Sequence, residues 1–250
     1  MNPTPSISDA ERRLRVDLAA AYRLTALFGW DDLVFTHISV RVPGPEHHFL
    51  INPYGMLFEE MTASSLVKID LHGNKVEASP YPINPAGFTI HSAVHAARED
   101  ALCVMHTHSL NGIAVSAQKD GLMPISQHAL IVLSSLGTHD YEGIALRDDE
   151  KPRLVHDLGT KRTLMLKNHG LLTVGATVAD AFVAMYFAEA ACAVQVRAMA
   201  GGGPLTKIPD AVLATAAEQM RGGTGGVGMD RLVWPGLLRR LDRRLPGYAD

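Results

Sequence analysis

Cysteine is scarce in this chain: its 250 residues contain two, Cys103 and Cys192, each inside an apolar segment. A disulfide framework is thereby excluded as the basis of the fold, and a reducing, cytoplasmic setting is expected. Charge of one sign is scarce too. The formal net charge is −3, and the richest basic stretch, Arg239-Arg240-Leu241-Asp242-Arg243-Arg244, is short and interrupted by an acid. That pattern argues against a nucleic-acid or membrane-surface partner. No run of about 18 uninterrupted apolar residues exists, so no segment is expected to span a bilayer. The first ten residues lack a charged head followed by an apolar stretch, so no signal peptide is expected. No internal repeat is visible. What remains is ordinary globular composition, 47% apolar and 20% charged, in a chain long enough to bury one large core.

Local patterning predicts alternating helices and strands. Ser8 and Glu11 fit a capping box, Leu14, Leu18, Ala21, Tyr22 and Leu24 recur at helical spacing, and Gly29 is a stop signal. Short β-rich runs follow at Leu33–Phe35, Ile38–Val42 and His48–Ile51, then at Leu66–Asp70. Pro85 opens a second helix running to about Arg98. Ala101–Met105 reads as a buried strand, Asn111–Gln118 as a helix, and Met123–Ile125 as extended, with Ile131–Leu133 continuing the core. Asp148–Leu158 reads as a helix, and Thr163–Leu166 and Leu171–Val174 as strands. Thr177 and Asp180 cap a long helix to about Met199. Beyond Gly201-Gly202-Gly203-Pro204 comes a further helix over 209–220, a Gly-rich link over 222–228, and a basic amphipathic tail over 230–245. The order lacks a regular βαβ rhythm, so a mixed sheet flanked by helices is expected.

The strongest chemical signal is His106-Thr107-His108 after the buried apolar run. Residues i and i+2 of a strand face the same side, so both imidazoles can reach one ion. Zn²⁺ takes nitrogen ligands at about 2.0–2.1 Å, and a catalytic site commonly has three protein ligands and an open position. His169, after a second apolar strand and before Gly170, is the natural third ligand. A His-x-His pair by itself also fits core or surface histidines.

His106-x-His108 followed about sixty residues later by Lys167-Asn168-His169-Gly170-Leu171 resembles the metal-ligand signature of the class II aldolase/adducin family. Thr36-His37-Ile38-Ser39-Val40-Arg41, Ile51-Asn52-Pro53-Tyr54-Gly55 and Thr62–Val67 resemble the strand and turns of that family's cleft. Asn84-Pro85-Ala86-Gly87-Phe88-Thr89-Ile90-His91 resembles its adducin-like branch. The resemblance covers about residues 10–200. It implies a three-layer α/β/α fold with a mixed, largely antiparallel sheet. The metal-binding domain would span residues 1–205, with a helical tail over 206–250 that reaches a neighbouring subunit's cleft or simply packs through Trp234. It also implies a homotetramer, and one divalent metal ion per chain held by His106, His108 and His169, with zinc first and manganese, cobalt or iron as alternatives.

Departures from the family's pattern shape the expected function. Its sugar-phosphate aldolases cradle phosphate with residues that here become His37, Tyr54-Gly55 and Pro85-Ala86, and Pro85 and Ala86 offer no side-chain donor. The glutamate that moves the proton in those enzymes is Gly87 here, and an assisting tyrosine from a neighbouring subunit aligns with His128. The expected activity is a metal-dependent carbon–carbon lyase, aldolase or decarboxylase, acting on a small non-phosphorylated oxo- or hydroxy-acid. His37, Tyr54 and His128 are the catalytic candidates, and Asn52, Gly55, Gly87 and His91 the substrate-binding ones. The alternatives are an iron-dependent oxygenase on the same fold and a non-catalytic, adducin-like binding module. The animal adducin pattern lacks a complete histidine set, which favours a working metal site here.

Overall fold

The computed structural model describes residues 7–144, 148–222 and 228–250. In chain order the elements are α1 (Asp9–Phe28), β1 (His37–Arg41), β2 (Phe49–Ile51), β3 (Val67–Ile69), α2 (Pro85–Ala97), β4 (Cys103–Thr107), α3 (Leu110–Ser116), α4 (Gln127–Leu133) and β5 (Leu136–His139). There follow α5 (Lys151–Leu158), β6 (Thr163–Leu166), β7 (Gly170–Gly175), α6 (Val178–Ala200), α7 (Asp210–Gly222), α8 (Met229–Leu232) and α9 (Trp234–Arg244).

Local chemistry explains the helix ends. Ser8 accepts a hydrogen bond from the Glu11 N–H at the start of α1, and Gly29 closes it in the left-handed conformation at φ 70°. Thr177 accepts from the Asp180 N–H to start α6. Ile131–Leu133 lies in helix α4, because Ser126 accepts from the Ala129 N–H and nucleates a turn there. Two expected extended runs are absent: Met123–Ile125 is irregular, and Leu33–Phe35 is a turn. Leu33 has φ 52°, and the Phe35 N–H donates to the Asp32 carbonyl at 2.9 Å. With Leu33 63% and Phe35 47% exposed, no partner buries that run. Strand β5 was not apparent in the sequence. The Gly-rich link expected over 222–228 falls almost wholly outside the described residues.

Among the described residues the strands form one seven-stranded sheet in the order β3-β2-β1-β4-β7-β6-β5. Every neighbouring pair is antiparallel except β5–β6. A parallel pair needs a crossover, and α5 supplies it. Side chains alternate across the sheet. Ile38, Val40, Cys103, Met105, Met165 and Leu171 join a core with α1 and α6 on one face. Val104, Leu164, Leu166, Leu172 and Val174 join α2 and α5 on the other. Helices thus cover both faces, giving the three-layer α/β/α architecture. Helix α6 is long and apolar enough to cross a membrane by composition, but most of that stretch is buried here, packed on β7, α3 and α4.

The far end of the C-terminal segment is part of the same core. Trp234 donates to Asp17 Oδ1 at 2.8 Å and packs edge-on to Phe182, and Leu241 and Tyr248 are buried with it. The Arg23 guanidinium donates to the Pro246 and Gly247 carbonyls, tying the chain end to α1. Trp234 is buried within its own chain.

Tyr22 on α1 fixes the sheet's register against that helix. Its hydroxyl accepts from the backbone N–H groups of Ile38 (2.7 Å) and Asn52 (3.1 Å), and its single proton is shared between the Ile38 carbonyl and Asn52 Oδ1. Substitution Tyr22→Phe strands two buried amide donors, each costing about 1–3 kcal/mol. Urea denaturation should show a stability loss of about 3 kcal/mol with an unchanged slope, whereas a loss under about 1 kcal/mol would show that the hydroxyl is dispensable.

Candidate metal centre

The antiparallel pairing of β4 with β7 builds the centre. Thr107 lies opposite Leu171 and His106 opposite Leu172, so the end of β4 meets the start of β7. His106 is inside β4 rather than beyond it, and His108 follows two residues later. The turn from β6 delivers His169. Asn168 takes φ 56°, a left-handed conformation that asparagine tolerates, and the His169 N–H donates to the Leu166 carbonyl at 3.1 Å. Gly170 is required by proximity, since a Cβ there would lie 2.3 Å from the Thr107 carbonyl oxygen. The Asn-His-Gly string is thus a sharp turn followed by a close backbone approach.

Three imidazole nitrogens converge. His106 Nε2 lies 3.0 Å from His108 Nε2, and His169 Nε2 lies 2.9 Å from the same atom. The tautomers of the first two follow from their other nitrogens. His106 Nδ1 is 2.9 Å from the Leu171 carbonyl, and His108 Nδ1 is 3.0 Å from Asp32 Oδ2. A carbonyl or carboxylate oxygen only accepts, so both Nδ1 atoms carry the proton and both Nε2 atoms present lone pairs. Burial, then His169, His108 and His37, hold His106 well below its ordinary pKa. Burial, then His108 and His139, bring His169 down to about 4. His106 and His169 are therefore neutral and able to ligate at neutral pH. Facing lone pairs repel unless a cation lies among them, and nitrogen ligands of a tetrahedral zinc stand about 3.3 Å apart. The donor set fits a divalent metal.

Residues behind the ligands hold them in place. Thr107, on the opposite face of β4, donates to Glu189 Oε1 at 2.9 Å, and Ser109 donates to Glu189 Oε2. Burial raises the Glu189 pKa. On the other side, His139 at the end of edge strand β5 bonds Asp157 through Nδ1 at 2.7 Å and faces Glu150 at 3.4 Å. Tyr141 is exposed and edge-on to His169, with ring centroids 6.4 Å apart. His139, Tyr141, Glu150, Lys167 and His169 line one small pocket. Asp32 and Glu189 carry no motif in the sequence and were not anticipated as site residues.

The remaining sequence candidates divide. His37 is buried with its ring between two others, 5.8 Å from that of His106 and 5.2 Å from that of His91. Gly87 abuts it: a Cβ at position 87 would lie 1.6 Å from His37 Cδ2. His37, Gly87 and His91 thus form one group next to the triad. Asn52 is buried, with its Oδ1 accepting from the Tyr22 hydroxyl. Tyr54 is half-buried with its N–H on the Pro82 carbonyl, and Gly55 is exposed in a turn at φ 106°. His128 packs on Phe187 of α6, 5.7 Å between ring centroids.

Two measurements follow from this geometry. Asp32→Asn should weaken zinc affinity about 10–100-fold by competition titration, as loss of a carboxylate behind a ligating histidine does; unchanged affinity would show that Asp32 does not orient His108. The second concerns stability. Burial holds His91 and His95 at about 3, against an unfolded value near 6.5. Both are neutral when folded, so the unfolded chain binds more protons below pH 6.5. Stability is complete above that value and declines as pH falls toward 3, by up to about 1.4 kcal/mol per unit for each group. Urea midpoints between pH 6 and 5, before most carboxylates titrate, should fall with more than one proton's slope; a flat profile contradicts neutral burial.

Comparison with known proteins places this geometry in a family. The family model described as "Class II Aldolase and Adducin N-terminal domain" matches residues 16–196. A Caulobacter vibrioides protein of the aldolase class 2 type is 61% identical, over 98% of this chain and 95% of its own length. The crystal structure of an aldolase II superfamily protein from Pseudomonas syringae superposes with a TM-score of 0.92 at 49% identity, over 98% of each chain. Mouse alpha-adducin is 49% identical over 78% of this chain, which corresponds to 27% of adducin. With residues 16–196 matched by the family model and a relative 61% identical across nearly the whole of both chains, the chain belongs to the class II aldolase and adducin family.

Proposed function

We propose that this protein is a divalent-metal-dependent carbon–carbon lyase, an aldolase or decarboxylase, acting on a small non-phosphorylated oxo- or hydroxy-acid. The observation that carries the reading is the convergence of His106, His108 and His169, two of them with tautomers locked from behind. Bound there, zinc or a similar cation would supply Lewis acidity toward a hydroxyl and the neighbouring carbonyl or carboxylate oxygen of a substrate. The chain's own residues do the rest. Asp32 and the Leu171 carbonyl keep two ligand lone pairs aimed inward. Glu189 holds the strand end beneath them. The His37 ring fills the volume over Gly87, so the wall beside the triad is imidazole rather than carboxylate. Neutral rings there suit a carboxylate or hydroxyl substrate better than a phosphate, which needs several converging donors.

The reading extends to assembly. His128 packs on Phe187 of α6, and a homotetramer would carry it to a neighbour's cleft. Cys103 and Cys192 are buried free thiols, in keeping with a cytoplasmic setting. The test is elemental analysis with light-scattering mass on protein purified without added metal, comparing wild type with His106→Ala. About one ion per chain in a four-chain particle is expected, lost in the variant, together with at least about 100-fold lower cleavage of hydroxy-acids. Iron with oxygen consumption would replace the lyase by an oxygenase. No ion, and none taken up, would leave a binding module of the adducin kind.

A further inference from the structure

Strand β5 runs parallel to β6 with His139 opposite Leu166, and the Lys167 N–H extends the pairing by donating to the His139 carbonyl at 2.9 Å. Because the two strands run in the same direction, the chain leaving β5 and the chain leaving β6 emerge side by side. Residues 140–142 thus stand next to residues 167–169, and the parallel pair delivers Tyr141 to the turn that carries the ligand His169. The two rings have centroids 6.4 Å apart and planes at 80°, and both residues line one small pocket with Lys167.

The side chains around Tyr141 are pinned, and Tyr141 is not. His139 Nδ1 bonds Asp157 at 2.7 Å, Asp140 Oδ1 accepts from Lys167 Nζ at 2.6 Å, and Glu142 Oε1 accepts from Arg153 Nε at 2.6 Å. These links tie the segment to α5 and to the turn after β6. Tyr141 itself is 55% exposed, and among the described residues its hydroxyl has no hydrogen-bond partner. Packing does not account for its place. The proton carriers expected from the sequence are placed differently. Position 87 has no side chain, both His37 ring nitrogens are buried, and His128 packs on Phe187. Tyr141, by contrast, is open to solvent beside a metal ligand, where a bound molecule can reach it.

We infer that Tyr141 is a catalytic residue, which gives its hydroxyl proton to the carbon released when the substrate's carbon–carbon bond breaks. The inference rests on the lyase reading. In aldol cleavage the substrate's O–H bond breaks, and its electron pair becomes the second bond of the new carbonyl. The pair of the broken carbon–carbon bond passes to the carbon next to the existing carbonyl or carboxylate group, and that carbon takes the Tyr141 proton. The proton lost by the substrate hydroxyl returns to the phenolate through water, so one proton leaves and one arrives. In decarboxylation the carboxylate departs as carbon dioxide and the carbon takes the same proton. Water then restores the phenol, and the hydroxide formed joins the carbon dioxide as bicarbonate.

Tyr141→Phe removes the hydroxyl alone. Since that group is exposed and unpartnered, melting temperature and zinc content should stay at the wild-type values. The binding probe is glycolohydroxamate, a small non-phosphorylated chelator shaped like an enolate, titrated by calorimetry into zinc-loaded wild type and variant. Tyr141→Phe should bind it about tenfold more weakly, the loss of one hydrogen bond. In hydroxy-acid cleavage the variant should lose about 100-fold or more in kcat with little change in KM. Equal hydroxamate affinity, or no binding by wild type, overturns the inference and leaves the lyase reading to stand or fall on wild-type turnover. Weaker binding with kcat unchanged, or with a KM effect alone, overturns the proton transfer. Weaker binding in a protein that turns over no acid overturns the lyase reading and the proton transfer with it, and keeps only the contact between the Tyr141 hydroxyl and the ligand.

Discussion

The structure turns on a close approach between two strand ends, where Gly170 lies so near the Thr107 carbonyl that no side chain fits between them. That contact lets β7 pair with β4 up to Thr107 and Leu171. It brings His169 to within 2.9 Å of His108 at Nε2, although sixty-one residues separate them. It also sets the Leu171 carbonyl on His106 Nδ1, so the pairing that builds the site also chooses its tautomer. A metal site assembled from a sheet's central strands inherits their rigidity, which keeps the ordering cost of the ligands low.

The alternation of side chains across the sheet sorts the interior into two chemistries. One face is apolar and joins α1 and α6 into the larger core. On the other face, β1 and β4 present His37, Ser39 and His106 beneath α2. Burying this many imidazoles is tolerable because they are neutral and most of their nitrogens have partners. The same burial that depresses their pKa values keeps them available as acceptors and ligands at neutral pH, so electrostatics and function share one physical cause.

His37 and Gly87 are matched in volume. The imidazole ring occupies the volume that a side chain at position 87 would need, so neither residue can change independently of the other. The family includes both aldolases and adducins, and fold alone therefore does not fix activity. This chain carries three converging histidines, with a carbonyl behind His106 and a carboxylate behind His108.

The sequence by itself determined the elements with strong local signals. The capped helices α1 and α6, the opening of α2 at Pro85, and the strands β4, β6 and β7 follow from capping boxes and apolar runs that act over a few residues. His106, His108 and His169 were legible because each follows an apolar run and because their motifs resemble the family's signature, the His-x-His spacing alone fitting core or surface histidines as well. Strand β5 was not, because Leu136-Gly137-Thr138-His139 is short and half-polar, and among the described strands it pairs with parallel β6 alone. Leu33–Phe35 has the composition of a strand but finds no neighbour. Tertiary structure alone decided which polar groups meet across long separations: Asp32 on His108, Glu189 beneath Thr107, Ser39 between His91 and His95, and Asn52 on Tyr22. Hydrogen-bond partners 30 to 82 residues apart leave no periodicity in a chain, since their meeting depends on how the layers stack and not on any local preference.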